Sequence, residues 1–537
     1  MVLRILLVIS FLFLGALVGC QPIRNAQNTN TTLQKKDDAH ALYEKGNSLY
    51  ESSKNVTDPT KKKALLEEAI PNYQQSIKLY PKITCAFHNL GNCFIYLAEL
   101  ETDDNKKKEL LEKSKKSYQE TIKLDPESSN AFYNLGLSFY HLANLESNNR
   151  KKKTLLEEAK KNNQKSIELC ENNANAFNNL GLCFYNLAEL ETDNSKKKEL
   201  LEEARKNYQT STEFDEKDTN ALNNLGLCLD ELAELETDDN KKKELLKEAR
   251  DKYQKAININ PNYTNALNNL GNSLLDYARL EKDNNKKKEL LQDTKTKYQK
   301  AIEIDENYTY AFNNLGLCFD ELAKLETDDN KNKELLEEAR KNYQKATELD
   351  SNYTSAFHNL GHCLINLSEL ETDNTKKKAL LEDAKKGYQK ATELDPKDPD
   401  TFNGLGFSIY LLSKFETGEN KKDLLHKAKK KCEQAIKLDA NNAYALDSLS
   451  SCLIDLAEFE TGKSQKKKLL EQAKQNLEKA IEIDPNLAEI FTNLETALSK
   501  LAELEDESTE ESKAKKKALL DEAKKAEAKY TQLTKKQ

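Results

Sequence analysis

Tryptophan is absent from this chain, histidine occurs six times, and proline and glycine supply only nine and fifteen of its 537 residues. No Ser-His-Asp order, glycine-rich phosphate loop or recurring pair of carboxylates stands anywhere in it, so hydrolytic, phosphoryl-transfer and acid–base catalysis lack their usual constellations. Neither enzymatic activity nor a cofactor is expected. One-signed charge is missing as well: 83 Lys and Arg stand against 91 Asp and Glu, a net charge of -8. That balance excludes a nucleic-acid partner, which needs a one-sided basic face. Lysine triplets such as 106–108 and 241–243 lie beside Glu and Asp and read as solvated helix ends. No strand pattern occurs, and past the first twenty residues there is no long apolar run.

What is present starts at the N-terminus. Met1-Val2-Leu3-Arg4 precedes a mostly apolar stretch from Ile5 to Phe13, too short to cross a bilayer as a helix. Leu17-Val18-Gly19-Cys20 follows and resembles the lipobox of bacterial lipoproteins. The resemblance implies that residues 1–19 are a cleaved signal peptide and that Cys20 carries the lipid, palmitate among its acyl chains. It also implies a cell-envelope address, the outer membrane in a Gram-negative host, because Gln21 rather than aspartate comes next. Several acyl chains on one residue anchor a protein as a single chain does not. Residues 20–36 are therefore expected to be a lipidated end and a flexible polar tether, with a reach of roughly 20 to 25 Å.

From residue 37 to 537 the sequence repeats. Gly46, Gly91, Gly136, Gly181, Gly226, Gly271, Gly316, Gly361 and Gly406 are each 45 apart, and Ser450 and Glu495 continue the series. A fixed period of this size marks a solenoid of one supersecondary unit, here eleven times. Around Gly316, apolar residues at 312, 315, 319, 322 and 325 form one helical face, with Thr309 placed to cap its start. Thr327-Asp328-Asp329-Asn330 then breaks the pattern, and Leu335, Leu336, Ala339, Tyr343, Ala346 and Leu349 line a second helix. Two antiparallel helices per unit make the chain all-α.

Phe312, Leu315-Gly316, Phe319, Ala339, Tyr343 and Ala346 resemble the signature of the tetratricopeptide repeat (TPR), whose closing proline is matched at Pro81, Pro126, Pro261, Pro396 and Pro485. The resemblance implies a right-handed superhelical solenoid of eleven TPR-like hairpins, the last a polar cap. The unit departs from the family in length, 45 residues against 34, with the added eleven at the hairpin tip. Three further turns let both helices lengthen without changing face, zipped by paired leucines and ending in a row of charged tips. Pro71 is expected to kink the second helix of the first unit.

Two residues before the glycine stands an asparagine in eight units: Asn89, Asn134, Asn179, Asn224, Asn269, Asn314, Asn359 and Asn493. Mid-helix asparagine is a poor helix former, so its recurrence asks for a reason. In TPR arrays the first helix lines the concave groove, and the resemblance makes this row a ladder that holds the backbone of a bound peptide, since an amide offers both donor and acceptor. Asn130, Asn175, Asn220 and Asn265 extend the stripe. Copying of one module with a consensus asparagine fits the row equally well, and both readings stay open here.

Cys93, Cys183, Cys228, Cys318, Cys363 and Cys452 all lie two residues after the unit glycine or its replacement, a place that reads as a close helix contact demanding a small side chain. No metal site is expected. His358 and His362 with Asp400 form the one candidate cluster. The reading is a lipid-anchored scaffold that binds proteins or peptides. The alternative is a structural spacer that associates with its own copies through charged edges.

Overall fold

The computed structural model describes residues 30–506 and 508–534. All regular structure among them is helical: α1 (Asn30–Lys54), α2 (Pro59–Leu79), α3 (Thr84–Leu100), α4 (Asp104–Leu124), α5 (Ser129–Asn144), α6 (Asn149–Leu169), α7 (Ala174–Glu189), α8 (Asn194–Phe214), α9 (Thr219–Leu235), α10 (Asp239–Ile259) and α11 (Thr264–Arg279). A second series follows: α12 (Asn284–Ile304), α13 (Thr309–Lys324), α14 (Asp329–Leu349), α15 (Thr354–Leu370), α16 (Asn374–Leu394), α17 (Pro399–Ser413), α18 (Gly418–Leu438), α19 (Ala443–Phe459), α20 (Lys463–Ile483), α21 (Ala488–Leu504) and α22 (Glu510–Thr534). The chain divides into two compact units after Leu280. The first stacks the hairpins α1/α2 to α9/α10 in chain order and ends on α11, and the second opens on α12 and stacks α13/α14 to α21/α22. The expected all-α stack of hairpins is present in each.

Within each unit the odd-numbered helices of successive hairpins touch one another. The backbones of the even-numbered ones stay farther apart, though long side chains bridge them, as Arg205 of α8 and Glu248 of α10 do at 2.9 Å. Odd helices thus lie on the inner side of the stack and even helices on the outer.

The added residues became helix rather than loop. Helices α4, α6, α8, α10, α12, α14 and α16 each span 21 residues and open 45 residues apart. Three or four residues, such as 101–103 or 145–148, turn these tips. Aspartates cap these helices except α6, which Asn148 caps: Asp103 accepts from the Lys106 N–H at 2.9 Å, and Asp238 from those of Asn240 and Lys241 at 2.9 and 3.0 Å. The paired leucines place one member in the core. Leu111 packs with Ala98 of its own hairpin and Leu142 of the next.

The charged tips are joined by a ladder of ion pairs. A lysine of one tip reaches the glutamate that opens the next, 38 residues on: Lys63–Glu101 at 3.4 Å, Lys108–Glu146 at 3.5 Å and Lys198–Glu236 at 3.2 Å in the first unit. Lys288–Glu326, Lys333–Glu371, Lys378–Glu416 and Lys467–Glu505, at 3.5, 2.9, 2.7 and 2.6 Å, do the same in the second. Glu101, Glu146, Glu236, Glu326 and Glu371 also fold back on their own turns. Glu371 accepts from the Thr372 and Asp373 N–H groups, both at 3.0 Å. Those backbone bonds, with Lys333, hold its carboxyl down at about 2.

The unit glycine makes room for the second-helix tyrosine. A Cβ on Gly226 would stand 2.5 Å from Cε1 of Tyr253, and on Gly316 the same distance from Tyr343, so no larger residue fits under these fully buried rings. The recurring cysteines are buried helix contacts, as expected. The thiols of Cys228, Cys318 and Cys363 donate to the carbonyls of Leu201, Leu291 and Leu336 at 3.1 to 3.2 Å. Burial pushes the Cys318 thiol up to about 12.

Two local expectations change. Thr309 does not cap α13. The cap position belongs to Tyr308, which makes no side-chain cap bond, as do Tyr263 and Tyr353 before Thr264 and Thr354. Burial of these tyrosines at the turn between hairpins sets the helix start instead. Pro71 lies inside α2, which continues through it to Leu79. Helix α1 begins at Asn30, within the stretch read as tether, while Cys20 and residues 1–19 lie outside the described residues.

Candidate functional site

The asparagine row sits on odd helices, on the inner side of each stack. Its members do not stand alone. Asn224 Nδ2 donates to Asn178 Oδ1 and Asn269 Nδ2 to Asn223 Oδ1, both at 3.0 Å. Asn359 Nδ2 donates to Asn313 Oδ1 at 2.9 Å, and Asn493 Nδ2 to an Asp447 oxygen at 2.8 Å. Each bond steps back 46 residues, from two before one glycine to three before the previous one. Asn134 holds the same register with His88 at 3.4 Å, and Asn89 donates to Asn47 Oδ1 at 3.2 Å. Asn314 Oδ1 accepts from its neighbour Asn313 at 3.2 Å.

The row is therefore a seam as well as a surface. Asn179 and Asn224 are buried, and Asn89, Asn134, Asn269, Asn314, Asn359 and Asn493 are half-buried. A primary amide has two N–H donors and an oxygen with two lone pairs, so one seam bond leaves donor and acceptor capacity over. At Asn179 and Asn223, Nδ2 is buried without a partner. The stripe four residues earlier is partly used too, since Tyr263 OH donates to Asn220 Oδ1 at 2.9 Å.

Around the amides, ionic character is suppressed. The Glu99 carboxyl reaches water yet is walled in, and this desolvation pushes it up to about 7. Glu189 is raised to about 7 by burial and then by Glu231. Burial lowers His88 and His141 to about 4, so both are neutral at physiological pH. Asp447 is raised to about 6, again by burial. On the inner helices of the first unit, His88 and His141 thus carry no charge at neutral pH, and Glu99 and Glu189 take up protons more readily than free carboxylates.

The breaks in the row have causes. At Gly404 a Cβ would lie 2.3 Å from Tyr388 Cε1, so the ring that sits against Gly361 on one side excludes an asparagine on the other. Ser448, at the next such position, is buried. The histidine cluster does not converge. His358 Nδ1 lies 3.2 Å from Thr401 Oγ1, His362 Nδ1 is 3.4 Å from Asn366 Nδ2, and Asp400 Oδ1 accepts from Asn442 at 2.7 Å. No group of three or more metal-ligating side chains gathers among the described residues.

Two features escaped the sequence reading. The partner row, Asn178, Asn223 and Asn313, is visible only once the 46-residue step is known. Asp230 and Asp320, four residues after their glycines, are buried and accept from Tyr253 and Tyr343 hydroxyls at 2.8 and 2.5 Å. An acid at an otherwise apolar or tyrosine position was the available signal.

Residues 20–178, 195–311 and 375–537 match the family model described as plant specific mitochondrial import receptor subunit TOM20, which is well over half of the chain. The chain belongs to that family. In this TOM20-type chain the matched stretches take in α1 to α6, α9 to α12 and α17 to α22 whole. No curated protein matches. Among solved structures, a TPR protein called YrrB, described as having an unusual peptide-binding site, is 20% identical over 44% of this chain and 95% of its own, with a TM-score of 0.29. A thermophilic TPR protein of Thermus thermophilus is 16% identical over 42% and 98%, TM-score 0.30. The pilF protein of Pseudomonas aeruginosa is 16% identical over 51% and 94%, TM-score 0.35.

Proposed function

We propose that this protein is a non-catalytic interaction scaffold that holds extended peptide segments of client proteins along the amide-lined inner face of its helical stacks. The observation that carries the reading is the seam itself. Asn178, Asn223, Asn224 and Asn269 are fixed in register by each other, so the donors and acceptors left over are pre-oriented at hairpin spacing. An extended backbone presents alternating N–H and C=O groups, which amides match without reading side chains. The neutral His88, in contact with Asn134, suits an uncharged backbone. The family description, an import receptor subunit, is that of its plant members and supports engagement of polypeptides here.

Anchoring belongs to the same proposal. Lipidation of Cys20, with residues 1–19 removed, places the scaffold on a membrane of the cell envelope, and its support is the lipobox-like Leu17-Val18-Gly19-Cys20. Labelled palmitate that enters the wild-type chain and not Cys20→Ala is the expected result. Equal labelling of both refutes the anchor.

The spacer reading, in which charged edges pair between copies, has less support, because lysines and glutamates of the tips pair within the chain. Client binding is tested with fluorescent extended peptides of unrelated sequence and with the same peptides N-methylated along the backbone. Binding that tolerates sequence, vanishes on N-methylation and is lost when Asn179, Asn224, Asn269 and Asn314 are changed together to Ala at unchanged helicity is expected. Binding indifferent to N-methylation, or retained in the quadruple variant, overturns the reading.

A further inference from the structure

In hairpin after hairpin a tyrosine ring fills the space beneath the unit glycine: Tyr118 under Gly91, Tyr208 under Gly181, Tyr253 under Gly226, Tyr343 under Gly316. On α18 that tyrosine is replaced by Cys432, whose Sγ lies 2.6 Å from where a Cβ on Gly406 would stand. Twenty residues on, α19 carries Cys452 at the small-residue position, and both side chains are wholly buried. Positions with this twenty-residue step touch elsewhere in the chain. Asn163, which also replaces the tyrosine, brings Nδ2 to 3.8 Å from Cys183 Sγ.

The junction between α18 and α19 is unlike its siblings in another respect. Cys228, Cys318 and Cys363 hydrogen-bond to a leucine carbonyl of the preceding helix. At Cys452 the neighbouring Cys432 thiol, and then burial, push the thiol well above its ordinary range. The other five cysteines at this position stand twenty residues after a tyrosine or Asn163, so only α18 and α19 carry two cysteines at this step.

We propose that Cys432 and Cys452 are a redox site, joined as a disulfide by exchange with a low-molecular-weight disulfide, which staples α18 to α19. One thiol loses its proton and attacks the oxidant, releasing one small thiol and leaving a mixed disulfide. The second thiol loses its proton and attacks the protein sulfur of that adduct, releasing the second small thiol. Two protein thiols are oxidised to one S–S bond, and one small disulfide is reduced to two thiols. Both sulfurs are buried, so the reaction waits on local opening of the junction and runs more slowly than modification of the exposed Cys170. The staple closes a loop of twenty residues and restricts the unfolded chain there.

The full-length folded protein is incubated with oxidised glutathione, blocked with an alkylating reagent, digested without reduction and mapped by mass spectrometry. The expected product is a peptide pair linked through Cys432 and Cys452, lighter by two hydrogens than the separate peptides. It is accompanied by a urea midpoint that rises on oxidation and returns on reduction. Cys432→Ser and Cys452→Ser each remove the linked pair and the midpoint shift, and Cys170→Ser keeps both. Full alkylation of Cys432 and Cys452 after oxidant treatment, or glutathione retained on either one, overturns the assignment. If the serine variants unfold, the linked peptide in the wild-type chain still decides the matter.

Discussion

Replacing Asp320 by asparagine should make the protein more stable at neutral pH and remove a distinctive part of its acid response. The Asp320 carboxyl lies in the core of the α13/α14 hairpin with Tyr343 OH donating to one oxygen at 2.5 Å, while the other oxygen is buried without a partner. Burial raises it from 3.8 to about 6, against the opposing pull of the Tyr343 hydroxyl, Lys324 and the Cys363 thiol and with help from Glu321. An acid whose folded value exceeds its unfolded value binds protons more readily when folded. Its contribution is therefore fully present below 3.8 and is lost as pH rises through about 6. The full window is worth about 3 kcal/mol, and about 1.4 kcal/mol of it falls between pH 7.5 and pH 5. Asparagine keeps an oxygen for Tyr343 and cannot ionise. Urea unfolding followed by circular dichroism at pH 7.5, 6 and 5 should show the wild-type chain gaining on Asp320→Asn as pH falls, with the variant ahead by up to about 3 kcal/mol at pH 7.5. The other raised acids, Glu99, Glu189 and Asp447, are common to both chains and cancel in the difference. A difference that stays flat over this range, or a variant weaker than wild type at pH 7.5, would refute the reasoning.

Gly226→Ala should lower stability by about 1 to 2 kcal/mol, because overpacking against Tyr253 outweighs the gain in helix propensity. Adding Tyr253→Leu should recover part of the loss, and strictly additive effects in thermal unfolding would contradict the contact. Asn163→Tyr, which restores the ring its siblings carry and removes a buried Oδ1 with no partner, should stabilise by about 1 to 2 kcal/mol. A drop in midpoint would show that this hairpin has closed around the smaller residue. Glu371→Gln should lower the unfolding midpoint at low salt and differ little from wild type at 1 M salt, the mark of a screened pair with Lys333.

Much of the fold was legible because it is local. The helical faces around Gly316, the turn at Thr327-Asp328 and the 45-residue period follow from spacing within one unit. What stayed hidden depends on how far one hairpin is displaced against the next. The 38-residue step from Lys333 to Glu371 and the 46-residue step from Asn359 to Asn313 follow from stacking, and neither equals the period. The candidate site shows the same limit. The sequence placed amides at 45-residue steps on the inner helices, and the structure adds that most of them spend a donor on the hairpin before. Thr309 was misjudged as a cap for a related reason, since the buried Tyr308 beside it gains its environment from packing between hairpins.

The ladder of ion pairs along the tips repeats with the same offset at most of the described junctions, so most interior hairpins present matching hardware fore and aft. Removing one whole hairpin, or copying one in, would bring together ends that already match in charge and in register. Length in this molecule is thus an easily changed variable: unequal crossing-over can lengthen or shorten the array in whole steps without leaving a mismatched joint for later mutations to repair.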